Sequence, residues 1–149
     1  MTGPLTGTKA FSSDRFEVIT KSPLTGIYTE SDCGGRWGSM LKKSGYDGIV
    51  ISGRSESPVY IWINNKDVKI LDAGDIWGLD TFDTQIKLKG KTTSKSEAVC
   101  IGPAGEKLVK YAMIATDGVH ARVAGRAGCG TVMGSKKLKA IVVSGNQDF

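Results

Sequence analysis

Residues Cys129 to Gly145 read CGTVMGSKKLKAIVVSG, and residues Cys33 to Gly53 read CGGRWGSMLKKSGYDGIVISG. Both stretches run Cys-Gly, three residues, Gly-Ser, basic residues and then a β-branched run closing in Ser-Gly. Aligned on the cysteines, Cys33 falls on Cys129, Gly34 on Gly130, Gly38 on Gly134 and Ser39 on Ser135. Ile49, Val50 and Ile51 fall on Ile141, Val142 and Val143, with four more residues before the strand in the first copy. A long period present only twice is no solenoid. It points to a duplicated half-domain with approximate two-fold symmetry, each half sending one glycine-rich loop into a core strand.

The chain has 149 residues, 40% of them hydrophobic, enough for one domain (1–149) with a real core. It holds no long apolar run and its start, MTGPLTGTKAF, lacks the pattern of a signal peptide, so no membrane partner is expected and the protein is expected to be cytoplasmic. Cys33, Cys100 and Cys129 make an odd number without paired C-x-x-C spacing. They read as reduced, small buried residues rather than a disulfide framework or, with His120, a zinc site. The net charge of +5 favours anionic partners, but only Lys136, Lys137 and Lys139 cluster, with no aromatic residues interleaved, so no nucleic-acid partner is expected and most basic residues read as solvated surface.

Along the chain, Arg15 to Thr20 (RFEVIT) alternates as a strand, and Ser22 to Gly26 is turn chemistry. Ser39 to Ser44 suits a short helix ended by Gly45, followed by a strand over Gly48 to Ser52. Val59, Ile61 and Ile63 alternate with Tyr60, Trp62 and Asn64, which places the apolar set on one sheet face, and the turn at Asn64 to Lys66 returns Val68, Ile70 and Leu71 as the hairpin partner. Asp80 to Leu88 suits a helix capped by Asp80 or Thr81 with Phe82 and Ile86 on one face. Thr92 to Ser96 is polar loop, Ala98 to Ile101 a strand and Gly102 to Gly105 a turn. Leu108 to Ala115 suits strand or helix, its β-branched and aromatic mix tilting it to strand. The expected class is α+β, with mostly antiparallel sheets and a few short helices.

The glycines concentrate at Gly34, Gly35 and Gly38 and at Gly125, Gly128, Gly130 and Gly134. Without a Cβ, successive backbone amides can approach a ligand and form concave anion sites; tight turns and close strand packing would need the same residues. GRAGCG, Gly125 to Gly130, has its glycines in the order G-x-x-G-x-G, the reverse of a dinucleotide fingerprint, and lacks a clean βαβ setting.

Taken together, TGPLTGT, DRFEVITKSPLTG, CGGRWGSMLKKSGYDGIVISGRSESPVYIWI, DIWGLDT, CIGPAGEKLVKYAMIATDG and AGRAGCGTVMGSKKLKAIVVSG resemble, in order and spacing, the first domain of the tungsten-containing aldehyde:ferredoxin oxidoreductases. The resemblance covers essentially the whole chain. It implies the base beneath a tungsten (or molybdenum) bis-pyranopterin cofactor, whose own pseudo-two-fold would match the duplicated loops, with magnesium bridging the paired phosphates. Carried over, Arg15 matches the arginine between pterin and iron-sulfur cluster. Asp32 and Gly34 fall in the first cofactor loop and Arg122, Val123 and Gly125 in the second, and the main-chain carbonyls of Asp32 and Val123 match the magnesium contacts. By composition alone, Arg15 and Arg122 could equally be partners in surface ion pairs.

Three positions depart from the family pattern, Asp32 standing for the usual asparagine, Val123 for alanine and Cys129 for an apolar residue, and HARVAGR is one residue longer. DIWGLD, Asp75 to Asp80, matches the letters of the family's pterin-gripping D-x-x-G-L motif, but its order assigns it to the first domain. The resemblance further implies that residues before TGPLTGT, and later domains carrying the [4Fe-4S] cluster ligands, lie elsewhere. No catalytic residue is therefore expected here; the expected partners are the missing domains or a partner subunit, and ferredoxin in the complete enzyme. An unpaired sheet edge predicts an oligomer. A non-catalytic module for another phosphate-bearing ligand, or a scaffold subunit, is the alternative.

Overall fold

The computed structural model describes residues 1–148. A hairpin of β1 (Phe16–Lys21) and β2 (Tyr28–Cys33) leads to α1 (Trp37–Lys43). A second hairpin, β3 (Val59–Asn64) and β4 (Asp67–Asp72), is followed by α2 (Thr81–Lys91), β5 (Glu97–Cys100), the single turn α3 (Pro103–Glu106), β6 (Ile114–Thr116), β7 (Arg122–Ala124), α4 (Cys129–Ser135) and β8 (Leu138–Ser144). β1 and β2 form a two-stranded sheet; the six-stranded sheet has the order β4-β3-β8-β5-β6-β7, in which only β3 and β8 run parallel. The class is α+β with mostly antiparallel sheets, as the alternating strands and short helices of the sequence imply. β7 is three strands away from β8, so the GRAGCG stretch between them does not lie in a βαβ unit.

Both faces of the large sheet are buried. Ile63, Val99, Ile141 and Val143 face a first core closed by Phe16, Trp37, Leu41, Cys129 and Met133. Tyr60, Ala98, Cys100, Ala140 and Val142 face a second core closed by Ile76 and Leu88. The expected hairpin is present, with Asn65 at φ 52 in its turn, but not with one apolar face: Tyr60 is 4% exposed, because β3 lies inside the sheet rather than at its edge. α2 also turns differently. Asp80 caps it through the amides of Phe82 and Asp83, but Thr84, Gln85 and Leu88 face inward while Phe82 and Ile86 are exposed. The segment 108–113 is turn, and its strand starts only at Ile114; Leu108 at φ 59 ends the turn after α3. All three cysteines are buried thiols.

The duplication is real, but its register differs from the alignment on the cysteines. α1 begins at Trp37 and α4 at Cys129. The spacing that sets Trp37 on Cys129 also sets Gly38 on Gly130, Gly45 (φ 91) on Lys137 (φ 56), Ile49 on Ile141 and Gly53 on Gly145. No insertion then separates helix from strand, and before the helix the second copy is the longer, with four residues between Ala124 and Cys129 against three between Cys33 and Trp37. Each helix reaches across to the other copy's strand: Trp37 of α1 donates its indole N–H to the Ile141 carbonyl at 3.0 Å, and Ile49 and Ile51 pack against the core to which Cys129 and Met133 of α4 belong. The ends interlock the same way: Gln147 N–H donates to the Lys43 carbonyl at 3.0 Å and Ser55 N–H to the Lys136 carbonyl at 3.1 Å.

The copies differ at their strands. β8 is paired on both sides, whereas residues 48–52, expected as a strand, form no ladder. Lys139 differs from the solvated position expected of it. A bulge, where Val59 opposes Leu138 and Tyr60 opposes Ala140, leaves Lys139 unpaired and turns it inward. Its side chain is fully buried, donating to the Leu79 carbonyl at 2.8 Å and pairing with Glu106, which also accepts the Gly78 amide. Replacing one partner leaves the other charge buried alone, so Glu106→Ala should cost about 3–5 kcal/mol, measured by urea unfolding.

Candidate functional site

The first loop starts where β1 and β2 end together, with Phe16 opposite Cys33 and Glu17 opposite Asp32. Arg15, one residue before the strand, donates its Nε–H to Asp32 Oδ2 at 2.9 Å, and Nη2 pairs with the same oxygen. This is the surface ion pair that composition alone allowed, with both side chains about half exposed. It uses one side of the guanidinium fork and leaves Nη1 unengaged by Asp32. Glu17 directs its backbone N–H and carbonyl away from β2, to Met1. Asp32, its partner in a non-hydrogen-bonded pair, therefore points its own carbonyl out from the free edge of β2.

The second loop follows the matching edge strand. β7 is the end of the large sheet, entered through a short turn (Gly118–His120) whose flanks, Asp117 at φ 67 and Ala121 at φ 48, hold left-handed backbone at a cost of about 1 kcal/mol each. Asp32 and Gly34 at the end of β2 correspond in spacing to Val123 and Gly125 at the end of β7. The two ends meet. Arg126 N–H donates to Ser31 Oγ at 3.1 Å, and a Cβ placed on Gly34 would lie 3.6 Å from Arg122 Nη1. The six residues expected at the site thus lie around three strands, Arg15 before β1, Asp32 and Gly34 at the end of β2, and Arg122, Val123 and Gly125 along and after β7.

The glycines of the two clusters divide by what surrounds them. Added Cβ atoms would stand 2.0 Å from the Lys110 carbonyl oxygen at Gly128, 2.3 Å from that of Met113 at Gly130 and 1.9 Å from that of Gly105 at Gly134. These three serve close backbone packing. Gly35 takes φ 103 beside Asp117, and Gly38 lies against Phe16. Only Gly34 and Gly125 combine ordinary backbone angles with no contact closer than 3.4 Å, so their missing side chains leave open surface.

The surface is cationic on balance. Arg36 lies 3.5 Å from Glu97 and 3.6 Å from Asp117, both nearly buried carboxylates, and Asp117 Oδ1 has no hydrogen-bond partner. Arg122 and Arg126 are exposed and form no ion pair among the described residues. Sequence reading singled out neither Arg36 nor Arg126; their spacing to Gly34 and Gly125 was the available signal. Beneath the loops the Cys33 thiol is pushed up to about 11 by burial, opposed by the nearby Arg122 and Arg15. DIWGLD has structural work instead: Ile76 is buried, Asp75 pairs with Lys91 and Asp80 caps α2.

Two matched strand ends with open glycines, together with Arg122 and Arg126, lie on exposed surface rather than in an enclosed pocket. A family model for the aldehyde ferredoxin oxidoreductase N-terminal domain matches residues 1–145, and the chain belongs to this family. It is 51% identical over 146 residues to the tungsten-containing aldehyde ferredoxin oxidoreductase of Pyrococcus furiosus, and 52% identical to that of Thermococcus kodakarensis. Each match covers 97% of this chain, which spans 24% of the length of those relatives. A relative called aliphatic sulfonate oxidoreductase, WOR-like subunit, from P. furiosus is 37% identical over 159 residues. Among solved structures, the active-site complex BamBC of benzoyl coenzyme A reductase with 1,5-dienoyl-CoA superposes with a TM-score of 0.92 at 40% identity, covering 96% of this chain and 22% of that one. No helix among the described residues is long and apolar enough to cross a membrane.

Two outcomes follow from this geometry. Gly34→Ala should be neutral or stabilising by up to about 1 kcal/mol, while Gly134→Ala should cost at least about 3 kcal/mol, both read from denaturant midpoints. The raised Cys33 pKa means that the unfolded chain ionises this thiol first as pH climbs. Stability should therefore fall from about pH 8.5 towards 11, and less steeply in Cys33→Ala.

Proposed function

We propose that this chain is the base on which a tungsten bis-pyranopterin cofactor rests in an aldehyde:ferredoxin oxidoreductase. The observation that carries the reading is the pair Gly34 and Gly125, open at two-fold related strand ends while their neighbouring glycines are closed in by packing or held at positive φ. A ligand made of two like halves fits a surface made of two like halves. Arg122 and Arg126 suit its anionic groups, and Arg15 offers the face of its guanidinium that Asp32 does not hold. The carbonyl of Asp32 points from a free strand edge, and Val123 occupies the corresponding place on β7. Hard oxygen donors of this kind suit magnesium between phosphates.

When bound, the cofactor supplies the oxidation of an aldehyde to a carboxylate, with electrons leaving through a [4Fe-4S] cluster to ferredoxin. The chain's own residues bind and orient: the glycines admit the ligand, the arginines balance its charge, and the buried Cys33 lies beneath the loops. The cluster ligands and the groups that handle the substrate proton belong to the rest of the oxidoreductase, so the isolated chain is inactive towards aldehydes.

The test is to express the chain, alone and with the remainder of a relative's polypeptide, in cells that make the cofactor, and to measure tungsten, pterin and magnesium in the purified protein. Pterin and tungsten should co-purify with the reassembled pair. Gly34→Leu with Gly125→Leu should abolish this without lowering the melting temperature. Retention of a nucleotide in place of pterin would identify a module for another phosphate-bearing ligand, and metal-free, ligand-free assembly a scaffold.

A further inference from the structure

We infer that a β-strand from outside these 149 residues inserts between β1 and residues 48–52, antiparallel to both, as the two-fold mate of β5. The inference is independent of the cofactor reading. In the second copy, β8 is flanked by β5, which is followed by β6 and then β7. In the first copy, residues 48–52 stand for β8, β1 for β6 and β2 for β7. The place of β5 is a gap of roughly 360 Å³, walled by Val18, Ile19, Ile49 and Ile51 over a floor of Met133 and Ile141.

The rungs at the end of the gap are already made. Met1-Thr2-Gly3-Pro4 repeats Cys100-Ile101-Gly102-Pro103 in pattern. Thr2 N–H donates to the Asp47 carbonyl at 2.8 Å just as Ile101 N–H donates to that of Lys139 at 3.0 Å. Met1 exchanges backbone hydrogen bonds with Glu17, as Cys100 stands opposite Ala115. The line set by these residues runs on between β1 and 48–52. Because Glu17 points its backbone groups into this line, so does Ile19 two residues on, and among the described residues its amide and carbonyl have no partner there. Residues 48–52 likewise have open backbone, and Val50 is 97% exposed.

The occupant is therefore an extended segment with apolar side chains towards the floor, similar to β5, all four residues of which are buried. Its addition is strand augmentation: main-chain bonds hold it and the floor selects its side chains. A source exists, since the relatives are about four times as long as this chain. A filled gap would join the β1-β2 hairpin to residues 48–52 as β5 joins β6 and β7 to β8.

The test is amide hydrogen exchange of the chain with and without a synthetic peptide copying residues 95–101, with serine in place of the cysteine. The peptide should give saturable protection of Ile19 and of residues 48–52, and the same peptide with a central proline should give none. Ile19→Pro removes an amide that the β1-β2 ladder does not use, and should weaken peptide binding by about tenfold, while Ile19→Val binds like the parent. Absence of protection at millimolar peptide overturns the inference. Protection that rises with protein concentration alone also overturns it, since a second copy would then fill the gap. Should Ile19→Pro fail to fold, exchange in the parent chain with the two peptides decides the matter.

Discussion

The structure depends on the close approach of backbone to backbone at two glycines. A Cβ on Gly145 would stand 2.1 Å from the carbonyl carbon of Lys43, and one on Gly134 would stand 1.9 Å from the Gly105 carbonyl oxygen. Distances this short leave no room for any side chain, so the end of β8 is set against the end of α1, and α4 against α3, by main chain rather than by deformable side chains. The first contact accompanies the packing of α1 on β8, where Trp37 reaches the Ile141 carbonyl. α1 follows β2 and α4 follows β7, so the same contacts bear on where Gly34 and Gly125 lie. Chemistry at the strand ends is thus inherited from packing well below it.

Much of this order was readable from residues, and the failures have identifiable causes. The repeated frame revealed the duplication because two copies of one backbone need glycine and β-branched residues in the same places. The register was misread because Cys33 and Cys129, identical in letter, do different jobs: one closes β2 and the other opens α4. Gly45 and Lys137 carried the true register, hidden because left-handed backbone at the second site is held by lysine. Tertiary context explains the others. Tyr60 reads as the outer face of a hairpin until β8 pairs with β3. Lys139 reads as a solvated cation until a bulge turns it towards Glu106. Residues 48–52 have strand composition, but a ladder requires a neighbour as well as a propensity. At the site, sequence resemblance placed Arg15, Asp32, Gly34, Arg122, Val123 and Gly125, and the fold brings those positions together. What the sequence could not separate was glycine kept for packing from glycine that leaves open surface, since the distinction lies in atoms from distant parts of the chain.

The two halves match in backbone but not in charge, and the difference bears on how a symmetric guest would be held. In the first half the Arg15 guanidinium is largely neutralised by Asp32, an exposed pair whose attraction is weakened by solvent. In the second half Arg122 and Arg126 present cations without a carboxylate partner, while the nearby Asp117 and Glu97 are turned inward towards Arg36. Opposite sides of the surface therefore offer different fields to groups of equal charge. Because the backbone is fixed by the glycine contacts beneath, that imbalance cannot relax through movement of the loops. It would instead orient the guest, so that pseudo-symmetry supplies the fit and broken charge symmetry supplies the direction.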